Sequence, residues 1–171
     1  MTDQPRYIVK PLGNEDRVAF NCGDSDLDGY FHQRASRDVR EKLSAVFILV
    51  TQDAPETILG YYTLSAQHVD ASAMPEEMRK KAGRYQRLGV TLLGRLAIAK
   101  NQQGKKLGAL LLVDALRRAL EGTRHVMSFA VIVDAKGEHV VNFYRKFGFV
   151  PLSATRLLLP MKTIERNFRR E

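Results

Sequence analysis

The part of the chain best suited to chemistry lies between Leu92 and Leu120, where an apolar run, a polar loop and a second apolar run follow one another. Free backbone N–H groups, the positive end of a helix dipole and lysine side chains would converge on an anion at this loop. The loop consists of Gln103, Gly104, Lys105, Lys106, Leu107 and Gly108. A pyrophosphate is the predicted ligand, and plain helix capping is the alternative.

The elements on either side of the loop must hold it in place. Upstream, Leu93, Leu96 and Ile98 predict a strand. Downstream, the polar residues follow a spacing of i, i+3, i+4 and i+7, so they form one solvated stripe on a helix that is otherwise apolar. These polar residues are Asp114, Arg117, Arg118 and Glu121. The sequence therefore predicts a strand, an anion loop and a mostly buried helix.

The remaining segments predict an α/β fold with a mixed, mostly antiparallel sheet around this central unit. Strands are expected over Arg6–Leu12, Ser44–Gln52, Ile58–Val69, Val126–Val133, Phe149–Pro151 and Arg156–Ile164. Helices are expected within Phe20–Lys42, from Pro75 onwards, and over His139–Phe147. Ser25 and Asp28 resemble a capping box, and Gly60 is interpreted as a bulge. The strands on either side of Asp53–Glu56 predict a hairpin.

Composition limits the possible classes of protein. With 171 residues the chain is expected to form one domain, residues 1–171, and its single cysteine, Cys22, excludes an internal disulfide. There is no signal-like N-terminus and no apolar run near twenty residues, so we expect a soluble, cytoplasmic protein without a membrane association. The net charge of +8 predicts an acidic partner.

Two motifs in this order resemble the GNAT superfamily of N-acetyltransferases. Gln103 and Gly108 match the ends of its Arg/Gln-x-x-Gly-x-Gly/Ala loop, and Asn142–Phe149 is similar to its late F-Y-x-x-x-G-F element. Lys106 stands where the central glycine is usual, a departure that helical backbone would tolerate and that a positive φ would make a weaker match. The resemblance implies a single GNAT-like domain with acetyl-CoA at the central strand, loop and helix.

Two further segments, Phe20–Phe31 and Leu93–Ala97, resemble the TacT-type acetyltransferase toxins of bacterial toxin–antitoxin pairs. This resemblance implies acetylation of the α-amino group of aminoacyl-tRNA, which blocks translation. It also implies a ribbon-helix-helix antitoxin as a partner, and we expect a homodimer.

In such a reaction an amine attacks a thioester, and the leaving thiolate must be protonated. Because α-amino groups titrate near ~7.7 to 8.0, a strong base is dispensable. Tyr144 suits the role of general acid, which the resemblance also implies; packing between helix and sheet is the alternative. The backbone of Leu96, Ala97 and Ile98 is expected to hold the pantetheine arm like an added strand. Asn142 is either a coenzyme contact or a helix cap.

Basic residues near the central strand are the predicted tRNA contacts. They are Arg79, Lys80, Arg84, Arg87 and Arg95. A solvated face is the alternative for the first four, and an outward-facing strand position is the alternative for Arg95. Two other functions remain open: a GNAT enzyme for a small amine or a protein N-terminus, and a non-catalytic nucleic-acid-binding module with a degenerate acyl-CoA site.

Overall fold

The computed structural model describes residues 4–170, so the single domain predicted over 1–171 includes residues 1–3 and 171, which lie outside this part. The strands are β1 Tyr7–Pro11, β2 Ala45–Thr51, β3 Gly60–Asp70, β4 Arg87–Ile98, β5 Ala130–Asp134, β6 Val150–Pro151 and β7 Arg156–Pro160. The helices are α1 Ser25–Gln33, α2 Ala35–Arg40, α3 Glu76–Ala82, α4 Leu107–Gly122, α5 Glu138–Arg145 and α6 Met161–Arg169. Within residues 4–170, no helix combines the length and the hydropathy that a membrane crossing requires.

The strands pair in the order β1-β2-β3-β4-β5-β7-β6. The ladder between β4 and β5 is parallel, whereas β1 with β2, β2 with β3, β5 with β7 and β6 with β7 are antiparallel. The predicted α/β class with a mixed, mostly antiparallel sheet is therefore confirmed. The predicted hairpin is also confirmed, because β2 and β3 follow each other in the chain and pair with Leu49 opposite Gly60.

The described chain forms two compact units, and the first comprises residues 4–64 and 95–115. In its core, Val46, Ile48 and Val50 project from one face of β2, as the two-residue period of a strand requires. The Phe31 and Tyr61 rings stack with centroids 4.2 Å apart, and the Tyr61 hydroxyl donates to Leu27 O at 2.7 Å. These contacts attach α1 to the sheet.

The second compact unit comprises residues 65–94 and 116–170. Its core includes Leu88, Ile132 and Leu158, and Met78 of α3 and Phe129 pack against it. Met161 N–H donates to Phe129 O at 2.8 Å, so α6 begins directly beside the loop that precedes β5.

The end of the chain differs from the prediction. A strand is predicted over Arg156–Ile164, but the strand ends at Pro160 and helix α6 follows. Proline lacks an N–H group and its φ of −59° suits the residue before a helix. Met161 and Ile164 are buried, which is the i, i+3 spacing of a helix that covers a core.

Two local predictions are corrected, and a third, at Gly60, is supported. The N-cap of α1 is Asp24 rather than Ser25, because the Asp24 side chain accepts from the N–H groups of Asp26 and Leu27. Gly60 pairs with Leu49, and the preceding Leu59 N–H also donates to Leu49 O at 2.8 Å, so two residues of this strand face one of β2, as in the predicted bulge. A Cβ at Gly60 would lie 2.8 Å from Ala97 O. The strand predicted from Val126 begins only at Ala130, and Val126 itself is 75% exposed in the loop before it.

Candidate active site

The segment between β4 and α4 is held by backbone hydrogen bonds where it leaves the strand. Ala99 N–H donates to Leu59 O at 2.8 Å, and Lys100 N–H donates to Asn21 O at 2.8 Å. A 3-10 turn over Lys100–Gln102 follows, and α4 begins at Leu107. The predicted strand, loop and helix are therefore all present, and the direction of the loop is fixed by its neighbours in the first unit.

Gln103 supports the loop from within. Its side-chain Nε2 donates to Cys22 O at 2.9 Å and to Ile98 O at 3.0 Å, so both amide hydrogens are used. Only the Oε1 atom of this amide is left for a ligand. We conclude that Gln103 positions the loop against the end of β4; its predicted contact with coenzyme stays a prediction.

Lys106 occupies the last position before α4 in a left-handed conformation. Its φ is +63°, and its carbonyl accepts the first bond of the helix, from Leu110 N–H at 3.3 Å. The left-handed region costs a non-glycine residue about 1–2 kcal/mol, which explains why glycine is usual here in the motif. The positive φ that makes Lys106 a weaker match to the motif is therefore present. Gly104 also has a positive φ, +85°, which its lack of a Cβ allows.

The end of α4 nevertheless has the groups that an anion needs. Because the bond to Leu110 is the first of the helix, the N–H groups of Leu107, Gly108 and Ala109 lie outside its ladder. Lys105 and Lys106 are exposed, and neither has an ion-pair partner among residues 4–170. Lys105 Nζ donates to Gln102 Oε1 at 3.0 Å, which keeps its charge at the loop.

The C-terminal part of β4 extends beyond its parallel partner. The described ladder with β5 covers Thr91–Leu93, whereas β4 continues through Leu96, Ala97 and Ile98. Beyond Leu93 the described ladder gives this edge of β4 no partner in β5, although Ile98 O accepts from Gln103 Nε2, and such an edge can pair with an extended ligand. Gly60 lets β3 approach this segment closely, because any side chain there would meet Ala97 O.

Tyr144 lies in α5, in the second unit, and is 6% exposed. Its ring contacts Phe143 and Phe149 with centroids 5.1 and 5.4 Å away. Burial raises the pKa of its hydroxyl well above the ordinary value, so the proton is retained at neutral pH. The hydroxyl makes no hydrogen bond to residues 4–170. Because no fully buried side-chain oxygen in this part of the chain lacks a partner, the hydroxyl must be accessible to solvent. The hydroxyl is therefore protonated at neutral pH and can serve as a hydrogen-bond or proton donor, although burial makes it a weaker acid than a free phenol.

Asn142 precedes Tyr144 by two residues on the same helix. The capping alternative for this residue is wrong, because α5 begins at Glu138 and its N-cap position is Gly137. The side chain of Asn142 is exposed in the middle of the helix, and its contact with coenzyme stays a prediction.

Four of the five predicted tRNA contacts lie within one short segment of the second unit. Arg79 and Lys80 are in the last turn of α3, Arg84 is in the following loop, and Arg87 begins β4; all are exposed. Arg87 Nε lies 3.7 Å from Asp70 Oδ1, whereas the other three have no ion pair within the described chain. Their role with tRNA stays a prediction.

Arg95 belongs to the first unit and is partly buried. Its guanidinium carbon lies 3.5 Å from the centroid of the Tyr30 ring, and the Tyr30 hydroxyl donates to Asp38 Oδ2 at 2.8 Å. A cation over an aromatic face is attracted by the ring quadrupole. Arg95 is therefore held in one place, and its contact with an RNA phosphate stays a prediction. The sequence does not indicate Tyr30 as the partner of Arg95, because no local pattern links residues so far apart in the chain.

Cys22 is unsuited to nucleophilic chemistry. Burial, together with the nearby Asp28 carboxylate, raises the pKa of its thiol to about 11. The thiolate is the reactive form, and it is almost absent at neutral pH. A structural role follows, in agreement with its place in the core of the first unit.

Two sequence relatives match nearly the whole chain. A probable toxin TacT of Sinorhizobium fredii is 25% identical over 175 residues, which covers 95% of this chain and 96% of the relative. A tRNA-acetylating toxin of Mycobacterium tuberculosis is 29% identical over 150 residues, which covers 86% of this chain and 87% of the relative.

Solved structures of similar fold include toxins of the same kind as these sequence relatives. AtaT complexed with acetyl-methionyl-tRNAfMet is 28% identical and superposes with a TM-score of 0.87, covering 95% of this chain and 99% of AtaT. An AtaT tyrosine-to-phenylalanine mutant bound to the C-terminus of the antitoxin AtaR and acetyl-CoA is 26% identical, with a TM-score of 0.81 over 95% and 98% of the two chains. The profile of the Acetyltransferase (GNAT) domain matches residues 31–157. The chain belongs to the GNAT acetyltransferase family.

Proposed function

We propose that this protein is a toxin that transfers the acetyl group of acetyl-CoA to the α-amino group of aminoacyl-tRNA and thereby inhibits translation. The observation that carries the proposal is the match, over 95% of this chain, to AtaT complexed with acetyl-methionyl-tRNAfMet. The tRNA-acetylating toxin of Mycobacterium tuberculosis supports the same substrate class. A ribbon-helix-helix antitoxin, a homodimeric state and a cytoplasmic location belong to the proposal.

The residues present fit acetyl-CoA as the acyl donor, which supplies a thioester. The open N-terminus of α4 and the two unpaired lysines of the loop suit its pyrophosphate. The edge of β4 at Leu96, Ala97 and Ile98, which lies beyond the described ladder with β5, suits the amides of its extended arm. Gln103 joins the loop to the end of β4 by the hydrogen bond from its Nε2 to Ile98 O, so both parts belong to one connected surface.

The protein groups have separate tasks in this proposal. Backbone N–H groups at the end of β4 stabilise the negative charge that develops on the acyl oxygen. Tyr144 Oη would give its proton to the leaving sulfur, and the proton that the attacking nitrogen loses on amide formation would restore the tyrosine through solvent. No protein base is required, since the α-amino group is already partly neutral near its pKa of ~7.7 to 8.0.

A small amine or a protein N-terminus is the second candidate acceptor. The placement of Arg87 beside Asp70 and of Arg95 on Tyr30 favours it, because these two cations are already engaged within the protein. The unpaired Arg79, Lys80 and Arg84 favour the RNA substrate instead.

The test is acetyl transfer from radiolabelled acetyl-CoA to a mixture of charged tRNAs, with free amino acids and a peptide as competing acceptors. The proposal predicts label in the ester-linked aminoacyl-tRNA and little in the other acceptors. Gly108→Glu should abolish coenzyme binding by placing a carboxylate at the open end of α4. Gly122→Glu, at the other end of the same helix where nothing lies within 4 Å, is the matched control. Label only in free amines or the peptide would refute the RNA substrate.

A further inference from the structure

A groove of about 610 Å³ lies in the second unit between α3 and α6. Its floor is apolar: Met78, Phe129 and Met161 line it, and these residues pack on the core of the unit. The floor is also rigid. Phe129 N–H donates to Gly89 O at 2.8 Å, and Phe129 O accepts from Met161 N–H at 2.8 Å.

The charged side chains of the groove are mostly positive. Lys81 of α3 and Lys162 and Arg166 of α6 are cationic, and Glu77 is the one carboxylate in the lining. Lys162 and Arg166 are four residues apart, so they lie on the same face of α6. Glu77 and Lys81 are likewise four apart on α3.

These three cations are not neutralised within the protein. Lys81, Lys162 and Arg166 are exposed, and none has an ion-pair partner among residues 4–170. Two other basic residues of the same unit have ion-pair partners. Arg156 Nε lies 2.8 Å from Asp134 Oδ1, and Arg169 Nη2 lies 3.4 Å from Glu165 Oε1. With three such unpaired cations and one carboxylate in its lining, the groove carries a net positive charge.

We propose that this groove, defined by Lys81, Lys162 and Arg166 over the Phe129 floor, binds a segment of the tRNA backbone. Unpaired cations on both sides of an apolar, aromatic floor match a polyanion whose phosphates alternate with flat bases. The proposal rests on the proposed function for the identity of the RNA, and it adds a contact surface outside the segment from Arg79 to Arg87. An acidic protein segment would meet the same charges but would not need an aromatic floor.

The experiment compares the double variant Lys162→Gln/Arg166→Gln with Arg170→Gln, which removes a cation of the same helix region outside the groove. Binding of uncharged tRNA is measured across a salt series, and steady-state acetylation of charged tRNA is measured alongside. The double variant should raise the KM for charged tRNA about tenfold at unchanged kcat. It should reduce the salt slope of log K by about 0.7–0.9 for each phosphate that the protein no longer neutralises. Coenzyme affinity should not change.

An unaltered KM and salt slope in the double variant would overturn the groove assignment, as would an equal effect of Arg170→Gln. Loss of antitoxin binding with intact tRNA binding would assign the groove to a protein partner and also overturn it. Failure of the proposed function is separable: the wild-type protein would then acetylate no charged tRNA, while the binding series on uncharged tRNA would still report on the groove. Thermal unfolding of each variant checks that the surface substitutions leave the fold intact.

Discussion

Replacing Lys106 with glycine should stabilise the protein, although it removes a side chain. The φ of +63° at this residue costs a lysine about 1–2 kcal/mol, which glycine does not incur. Glycine also loosens the unfolded chain, which lowers stability by about 0.4–1 kcal/mol. The expected net gain in the free energy of unfolding is therefore about 0.5–1 kcal/mol, or a rise in Tm of about 1–4 °C for a chain of this size.

Lys105→Gly is the matched control, because Lys106 and Lys42 are the non-glycine residues with a positive φ in the described chain and Lys105 is not among them. The same chemical change one residue earlier should lower the free energy of unfolding by about 0.4–1 kcal/mol. Lys106→Met separates charge from conformation, since it removes the ammonium and keeps the Cβ. Urea unfolding of the three variants measures the effect. A loss of stability in Lys106→Gly equal to that of Lys105→Gly would refute the argument from backbone strain.

Three other substitutions and the reactivity of one thiol provide further tests. Gly60→Ala should destabilise the protein by about 1–3 kcal/mol, because its Cβ would lie 2.8 Å from Ala97 O. Gly29→Ala in α1 is the control and should be neutral or stabilising, because a Cβ there has nothing within 4 Å. Equal melting temperatures of the two variants would contradict this. The Lys42→Gly change, at φ +62° after α2, should raise Tm as Lys106→Gly does; a lower Tm would contradict it. Because the pKa of the Cys22 thiol is raised to about 11, it should react with Ellman's reagent at pH 8 at least 100-fold more slowly in the native than in the unfolded protein. A native rate within tenfold of the unfolded rate would exclude the raised pKa.

The central strand, loop and helix could be predicted from the sequence because their information is local. The period of Asp114, Arg117, Arg118 and Glu121 fixes one face of α4, and a glycine-containing polar turn before it marks the start of the helix. The backbone angle of Lys106 could not be predicted, since a lysine is compatible with several conformations and the one adopted depends on how β4 and α4 are joined.

Contacts between distant segments account for what the sequence did not show. The local pattern predicts a bulge at Gly60, but it does not show that a side chain there would meet Ala97, which lies far along the chain. Arg95 has the pattern of a free cation on a strand, yet its position is determined by the Tyr30 ring. The prediction for the end of the chain is wrong for a different reason. Leu157–Leu159 is a buried apolar run that predicts a strand. The apolar residues of the helix that begins at Met161 follow this run so closely that they extend the same pattern.

The most direct test of the proposed function is a single-turnover acetylation of charged tRNA by the Tyr144→Phe variant. The change removes only the hydroxyl, and the packing of the ring against Phe143 and Phe149 should be retained. Folding and coenzyme affinity should therefore be unaltered, while the rate of acetyl transfer should fall by roughly 10²–10⁴, the usual contribution of a general acid. A rate close to that of the wild-type protein would show that Tyr144 has only a packing role and that another group protonates the leaving thiolate.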